Sequence, residues 1–184
     1  MINTIAVIFG IYFLVISLTL HFLKKEVSYA KTPISNYVIG KYGFLMTLAF
    51  WLIGVNQLII SYNFYKLNYM IPAIFIGLAG IGVIIVGFTR VESIDKLKGV
   101  KLHEIGAAMQ FLFFSIAAII YGFSNELKIF SIIIGIFTFF LLLIMAKLYI
   151  KYRRKTINNY ALFQKINTFL INIWLIIIPC LFSR

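Results

Sequence analysis

The side chains of this chain that can act as acids or bases are concentrated in one short stretch. Glu92, Asp95, His103 and Glu104 include three of the five acidic residues and one of the two histidines. A histidine within hydrogen-bond reach of a carboxylate can take a proton from a bound substrate and return it later. We therefore regard these four residues as candidate catalytic groups, with His103 as the acid or base and one of the carboxylates assisting it.

A second set of polar side chains lies inside or at the ends of apolar stretches, where a ligand could use them. A carboxamide in hydrocarbon is costly unless it is hydrogen-bonded, so each must find a partner on another helix or on a bound molecule. A bond between helices is the simpler interpretation, and a ligand contact is the alternative. The candidate ligand-binding residues are His21, Asn56, Gln57, Gln110 and Asn172.

Metal and cofactor chemistry is not predicted. His21, His103 and the neighbouring carboxylates could together supply the ligands of a divalent cation, but no ligand spacing such as His-x-x-x-His occurs. The sequence also lacks a Gly-x-Ser-x-Gly turn, a glycine-rich phosphate loop and a His-Glu-x-x-His motif. Glu104 has a structural interpretation too, as an anion stabilised in the first turn of a helix that begins at residue 103.

The elements that position these residues are predicted to be membrane-spanning helices. The 184 residues are 62% hydrophobic and 12% charged, with a mean hydropathy of +1.02, well beyond the composition of soluble domains. Open sheets are excluded because their edges would stay unpaired in lipid. The prediction is an all-α membrane protein, a single domain over residues 1–184, with six spans of roughly the length that crosses a bilayer: 2–22, 43–62, 69–88, 103–123, 128–149 and 162–182.

The basic residues predict how this bundle is oriented. The loops after the first, third and fifth spans carry all but three of the 17 lysines and arginines, the exceptions being Lys66, Lys128 and Arg184. This bias is typical of cytoplasmic loops, so both termini are expected on the outer side. The first span lacks a basic N-terminal flank and is expected to be retained rather than cleaved as a signal peptide.

The same distribution bears on partners and location. The net charge of +12 comes from short loops beside apolar runs, a pattern of membrane orientation and lipid contact, so nucleic acid is not expected as a partner. Membrane lipids are the expected partners, together with a membrane-protein partner or a second copy of the chain. The predicted location is a cell membrane, crossed several times, and specifically the prokaryotic cytoplasmic membrane.

Small residues predict where the helices approach one another. In the third span Ala73, Gly77, Gly80 and Gly87 lie along one helical face, where another helix can come close. The second span has a comparable stripe of small and polar residues, namely Gly43, Thr47, Gly54, Gln57 and Ser61.

Two stretches of the sequence resemble a known family. The first runs from Ile34 to Met46 with Ala49-Phe50, and the second runs from Gly77 to Gly82 and from Val86 to Phe88, followed by Gly99 and Leu102-His103. They resemble the prokaryotic six-helix membrane family called domain of unknown function nine hundred and ninety-eight. The resemblance implies a six-helix bundle with His103 at a juxtamembrane site, and it implies no established activity. That family usually has Phe-Pro-x-Asp where this chain reads Phe88-Thr89-Arg90-Val91-Glu92, so any role of that aspartate would be lost or taken by Glu92.

Three functional hypotheses follow. The leading one is a non-catalytic protein that binds a lipid or a small amphipathic molecule, or that serves as a small subunit of a membrane complex. The second is a membrane enzyme that acts on a lipid head group at the cytoplasmic face, which requires His103 to face a cavity with a carboxylate about 3 Å away. The third is a small-solute permease, which requires a continuous polar path lined by Asn56, Gln57, Gln110 and Asn172.

Overall fold

The computed structural model describes residues 2–24, 28, 31–89, 97–124, 128–153 and 159–182. Six of its helices are long and apolar enough to cross a membrane, and the described residues contain no strand, so the predicted fold class is confirmed. A short 3₁₀ helix, Ile34–Val38, lies between the first two. The six are α1 (Ile2–Leu23), α2 (Gly43–Lys66), α3 (Met70–Phe88), α4 (Leu97–Ser124), α5 (Lys128–Arg153) and α6 (Tyr160–Leu181).

The helices form a closed ring. Each packs against its neighbours in the sequence, and α6 returns to pack against α1. The start of α1 and the end of α6 lie at the same end of the bundle, beside the end of α2. Asn63 donates a hydrogen bond to Asn3 over 2.8 Å, and the rings of Phe64 and Phe182 are 5.6 Å apart. The assignment of that end to the outside of a cell stays a prediction from the charge distribution.

The small-residue face of α3 lies against α2, as the spacing predicts. A Cβ atom placed on Gly80 would lie 2.9 Å from the carbonyl oxygen of Gly54, and one placed on Gly77 would lie 3.0 Å from the hydroxyl oxygen of Ser61. The Ser61 hydroxyl in turn donates a hydrogen bond of 2.7 Å to the carbonyl of Ala73. Close backbone approach therefore fixes the contact between α2 and α3.

A second close crossing joins α3 to α4. A Cβ atom on Gly82 would lie 2.6 Å from the carbonyl oxygen of Gly106, and one on Gly106 would lie 2.6 Å from the carbonyl oxygen of Gly82. The two glycines are thus reciprocal, and neither position has room for a side chain. This crossing also sets the position of Gln110, because a Cβ atom placed on Gly82 would lie 2.9 Å from the Gln110 backbone nitrogen.

Aromatic rings fill the half of the bundle that lies away from the basic loops. Phe64 of α2 stacks on Tyr121 of α4 with ring centroids 4.3 Å apart, and Trp174 of α6 meets Phe114 edge-on at 5.2 Å. Trp174 is fully buried, and its indole nitrogen donates a hydrogen bond of 3.1 Å to the Ser131 hydroxyl on α5. This half of the interior is therefore densely packed around Trp174.

The outer surface of the ring is apolar. Exposed side chains recur every three or four residues along α1 and α5, which gives each helix one continuous apolar stripe. Such stripes suit contact with lipid chains. On α1 the stripe consists of Ile5, Ile8, Ile11, Val15, Leu18 and Phe22.

Candidate functional site

The 3₁₀ helix caps the interior of the bundle on the side of the basic loops. Ile34, Tyr37 and Val38 are buried, although the helix lies in a loop between two spans. The backbone N–H of Ile34 donates a buried hydrogen bond of 3.0 Å to the Gln164 side-chain oxygen on α6, and the Lys24 ammonium donates one to the carbonyl of Ile39. The cap is thus tied to the end of α1 and to α6.

A cavity lies beneath this cap. Its polar lining consists of His103 and Gln110 from α4 and of Gln164, Thr168 and Asn172 from α6, with Ser35 of the 3₁₀ helix at its edge. The cavity volume is about 40 Å³, which is enough for a few water molecules. Its apolar wall is formed mainly by Phe13, Phe50, Ile53, Val83, Val86, Phe111 and Ile171.

Two carboxamides on this wall have hydrogen-bonding capacity that other described residues do not use. The side-chain oxygen of Gln110 is buried and has no partner there, and the same holds for the side-chain oxygen of Asn172. The Asn172 amide nitrogen donates to the carbonyl of Thr168 over 2.8 Å, which is a local bond within α6. Buried acceptors of this kind are costly unless water or a ligand reaches them, so both residues are candidates for a contact with a molecule in the cavity.

His103 is held in a defined orientation at the cavity wall. Its Nδ1 atom lies 3.0 Å from the carbonyl oxygen of Thr89 and 3.1 Å from the Thr89 hydroxyl, which itself donates to the carbonyl of Ile85 over 2.8 Å. A carbonyl oxygen can only accept, so Nδ1 must carry the hydrogen. In the neutral ring the lone pair is then on Nε2, the nitrogen that can accept a proton.

Glu104 is engaged with α5. The hydroxyl of Tyr149 donates a short hydrogen bond to its carboxylate, and the ring of Tyr149 lies 5.3 Å from that of Tyr160. The interpretation of Glu104 as a first-turn anion is wrong, because α4 begins at Leu97 and places Glu104 in its second turn. The helix extends past the apolar run that was used to predict its start.

The carboxylate partner expected for His103 is not found among the described residues. The hydrogen bonds of His103 in that part of the chain go to Thr89. Glu92 and Asp95, the other two candidates, lie outside the described residues. Nor does the described part of the chain contain a group of three His, Cys, Asp or Glu side chains placed to hold a metal ion.

The remaining ligand-binding candidates lie away from the cavity. His21 is half-buried on α1 with its ring 5.4 Å from that of Phe22. Asn56 and Gln57 are fully buried on α2, and their carboxamides make no hydrogen bond within the described ranges. The structure thus brings Gln110 and Asn172 together with His103, and it does not bring the other three to them.

Sequence reasoning missed Gln164 and Thr89 as site residues. Gln164, Thr168 and Asn172 recur at intervals of four on α6, so a search for polar residues along one helical face would have found Gln164. Thr89 gives no such signal, because it acts through its carbonyl oxygen as well as its hydroxyl. The cap could have been found in part from the sequence, because Ile34, Tyr37 and Val38 are apolar residues within a loop between two spans.

The bond between Gln164 and the cap leads to a testable prediction. In Gln164→Leu the Ile34 N–H loses its buried acceptor, so hydrogen exchange in a peptide covering residues 34–38 should be faster by about tenfold or more. Hydrogen–deuterium exchange in detergent or nanodiscs would measure it. Gln110→Leu is the matched control, because it removes a cavity glutamine that makes no bond to the cap. Equal exchange rates in wild type and Gln164→Leu would contradict this role of Gln164.

The ring of helices, its apolar surface and the capped cavity define the class of this molecule as a six-helix, multi-pass membrane protein. Within that class, the family described as Protein of unknown function (DUF998) matches residues 7–179, and the chain belongs to that family. The match confirms the resemblance that the two sequence stretches indicated. No curated protein and no solved structure matches the chain.

Proposed function

We propose that this protein is a non-catalytic binding protein of the membrane, which holds the polar end of a lipid or small amphipathic molecule in the cavity beneath the 3₁₀ helix. The observation that carries the proposal is that Gln110 and Asn172 line this cavity and that the buried side-chain oxygen of each has no partner among the described residues. Hydroxyl or amine groups of a ligand would satisfy them, while the apolar wall accommodates its hydrocarbon.

The size of the cavity indicates how such a molecule would enter. A volume of about 40 Å³ is far below the ~300 Å³ or more of a typical small-molecule pocket, so only water fits while the cap is closed. The cap is held by side-chain bonds from Gln164 and Lys24 and by the burial of Tyr37, and a molecule larger than water would have to displace it in order to enter. Binding would therefore be coupled to displacement of the 3₁₀ helix.

The aromatic packing of the half opposite the cavity supports binding rather than transport. A permease needs a polar path through both halves of the bundle. Here the half around Phe64, Phe114 and Trp174 is filled by packed aromatic rings. We propose that the cavity is loaded from the leaflet on the basic-loop side, which the charge distribution assigns to the cytoplasm.

One observation supports a second candidate function, an enzyme acting on a lipid head group. Thr89 fixes the His103 ring so that Nε2 is the atom able to accept a proton, and this is the orientation that a general base requires. Among the described residues the hydrogen-bond partner of Nδ1 is a carbonyl rather than a carboxylate, and the nearby Glu104 carboxylate is bonded to Tyr149, so a hydrogen-bonded pair of histidine and carboxylate is not seen there. We rank the enzyme second for that reason.

Co-purification tests the binding proposal. Wild-type protein purified from a bacterial membrane in mild detergent should carry a reproducible small molecule in native mass spectrometry. In the double variant Gln110→Leu, Asn172→Leu its occupancy should fall by about tenfold or more, because two buried hydrogen bonds to it are lost. Gln57→Leu is the matched control, since Gln57 is equally buried and unbonded but does not line the cavity.

The outcomes separate the two functions. No molecule on the wild type, or the same loss in Gln57→Leu as in the double variant, would overturn the proposal. His103→Ala should keep the wild-type molecule if the protein only binds it. If His103→Ala instead accumulates a molecule of a different mass, the protein is an enzyme and that molecule is its unprocessed substrate.

A further inference from the structure

We propose that the groove between α1 and α6 is a second binding site, distinct from the capped cavity, and that it holds an anionic membrane lipid whose phosphate contacts Lys165. The groove opens on the membrane side of the bundle. Its site residues are Lys165 and Tyr37 at the polar end and the apolar side chains of both helices along its length.

Lys165, like Lys24, is a basic residue that is buried inside the bundle. It is 7% exposed, and it lies five residues after the start of α6, about 7.5 Å along the helix axis. Its ammonium lies 5.1 Å from the centroid of the Tyr37 ring, which faces the same groove. Its positive charge lies at the polar end of a groove lined mainly by apolar side chains, where it would attract the head group of an anionic lipid.

The rest of the groove has the character of an acyl-chain site. Leu14 and Leu18 of α1 and Phe169 of α6 line it, and the groove has a volume of about 60 Å³. Leu18 and Phe169 are about half exposed, so the groove is open to the surrounding lipid. A chain that lies along these side chains would bring its own head group to the level of Lys165.

Charge and depth together favour one occupant. A positive group buried near the interface attracts a head group with net negative charge more strongly than a zwitterionic one, whose own cation offsets the charge of its phosphate. Phe13, Ile34 and Thr168 line both the groove and the capped cavity, so the two sites are neighbours, whereas Lys165 and Tyr37 line the groove and not the cavity. The groove therefore selects a phospholipid with net negative charge, independently of what the cavity holds.

The experiment compares two lipids with identical chains. Native mass spectrometry of the full chain in detergent, titrated with phosphatidylglycerol or phosphatidylcholine, should give about a tenfold preference of the wild type for phosphatidylglycerol, because the choline cation of phosphatidylcholine offsets the charge of its phosphate. In Lys165→Met the preference should fall below about twofold, because methionine keeps the length but not the charge. Lys165→Arg should retain it.

Lys147→Met is the matched control. Lys147 is an exposed lysine near the C-terminal end of α5, which lies on the basic-loop side of the bundle, as Lys165 does. It should keep the full preference. A wild type without preference, an unchanged preference in Lys165→Met, or an equal loss in Lys147→Met would each overturn the proposal. Inorganic phosphate alone should not displace the lipid, and displacement by phosphate would mean that the site binds a free anion instead.

The molecule that co-purifies in the capped cavity should remain bound in Lys165→Met. A negative result for the lipid in the groove would therefore leave the proposal for the capped cavity intact, and the reverse also holds.

Discussion

Gly82→Ala is expected to destabilise the protein by about 3 kcal/mol, an unusually large effect for one added methyl group. The new Cβ would lie 2.6 Å from the carbonyl oxygen of Gly106, 2.7 Å from the Cβ of Met109 and 2.9 Å from the backbone nitrogen of Gln110. Two of these are backbone atoms that cannot rotate away. Helices α3 and α4 must therefore separate, and the wall of the cavity that carries Gln110 moves with them.

Gly77→Ala is the matched comparison for this prediction. It lies on the same helix and gains the same helix propensity, but its Cβ would meet the Ser61 side chain, with the hydroxyl oxygen at 3.0 Å. Ser61 can turn aside at the cost of its bond to Ala73, so a loss below about 1 kcal/mol is expected. Unfolding by SDS in bicelles, followed by tryptophan fluorescence, would measure both variants. Equal stabilities would show that the crossing between Gly82 and Gly106 does not limit the packing.

The two glycines also illustrate which contacts could be predicted from the sequence. Gly77 and Gly80 share a face with Ala73 and Gly87, and a stripe of four small residues indicates a helix contact without a structure. Gly82 faces away from that stripe, since two residues turn a helix by about 200°. The spacing of small residues along one helix does not say which residue of another helix they meet. Only the structure therefore reveals that Gly82 meets Gly106.

The ends of the helices were less predictable than their apolar centres. Hydropathy marks where the chain enters hydrocarbon, whereas backbone hydrogen bonding continues into the polar region. For α4 the difference moves the start from residue 103 to Leu97, and it changes the explanation of Glu104 from a helix-dipole contact to a bond with Tyr149. The identity of the candidate base, His103, does not depend on this boundary.

The basic residues show a further limit of sequence reasoning. Lys24 and Lys165 were counted with the loop cations, as a distribution along the sequence requires. In the structure Lys24 is buried and holds the cap, and Lys165 is buried in the groove between α1 and α6. The burial of Lys165 depends on the packing of α6 against α1, which closes the ring. These two helices are far apart in the sequence, so their contact could not be predicted from it.

Trp174→Ala is expected to cost about 4 kcal/mol, the largest loss from truncation of one side chain in this bundle. Trp174 is fully buried and touches the rings of Phe64, Phe114 and Tyr121. Unfolded helices in a bilayer are already out of water, so the loss is mainly of dispersion contacts around the cavity left behind. Thermal unfolding in detergent, followed by circular dichroism, would measure it.

Trp174→Phe separates ring packing from the hydrogen bond to Ser131. Phenylalanine keeps most of the aromatic contacts but removes the indole N–H, so a loss of about 1 to 2 kcal/mol is expected. If the alanine variant lost no more than the phenylalanine variant, the aromatic rings would not be holding this half of the bundle together. The cavity would then no longer be expected to open on one side only, because that expectation depends on a tightly filled opposite half.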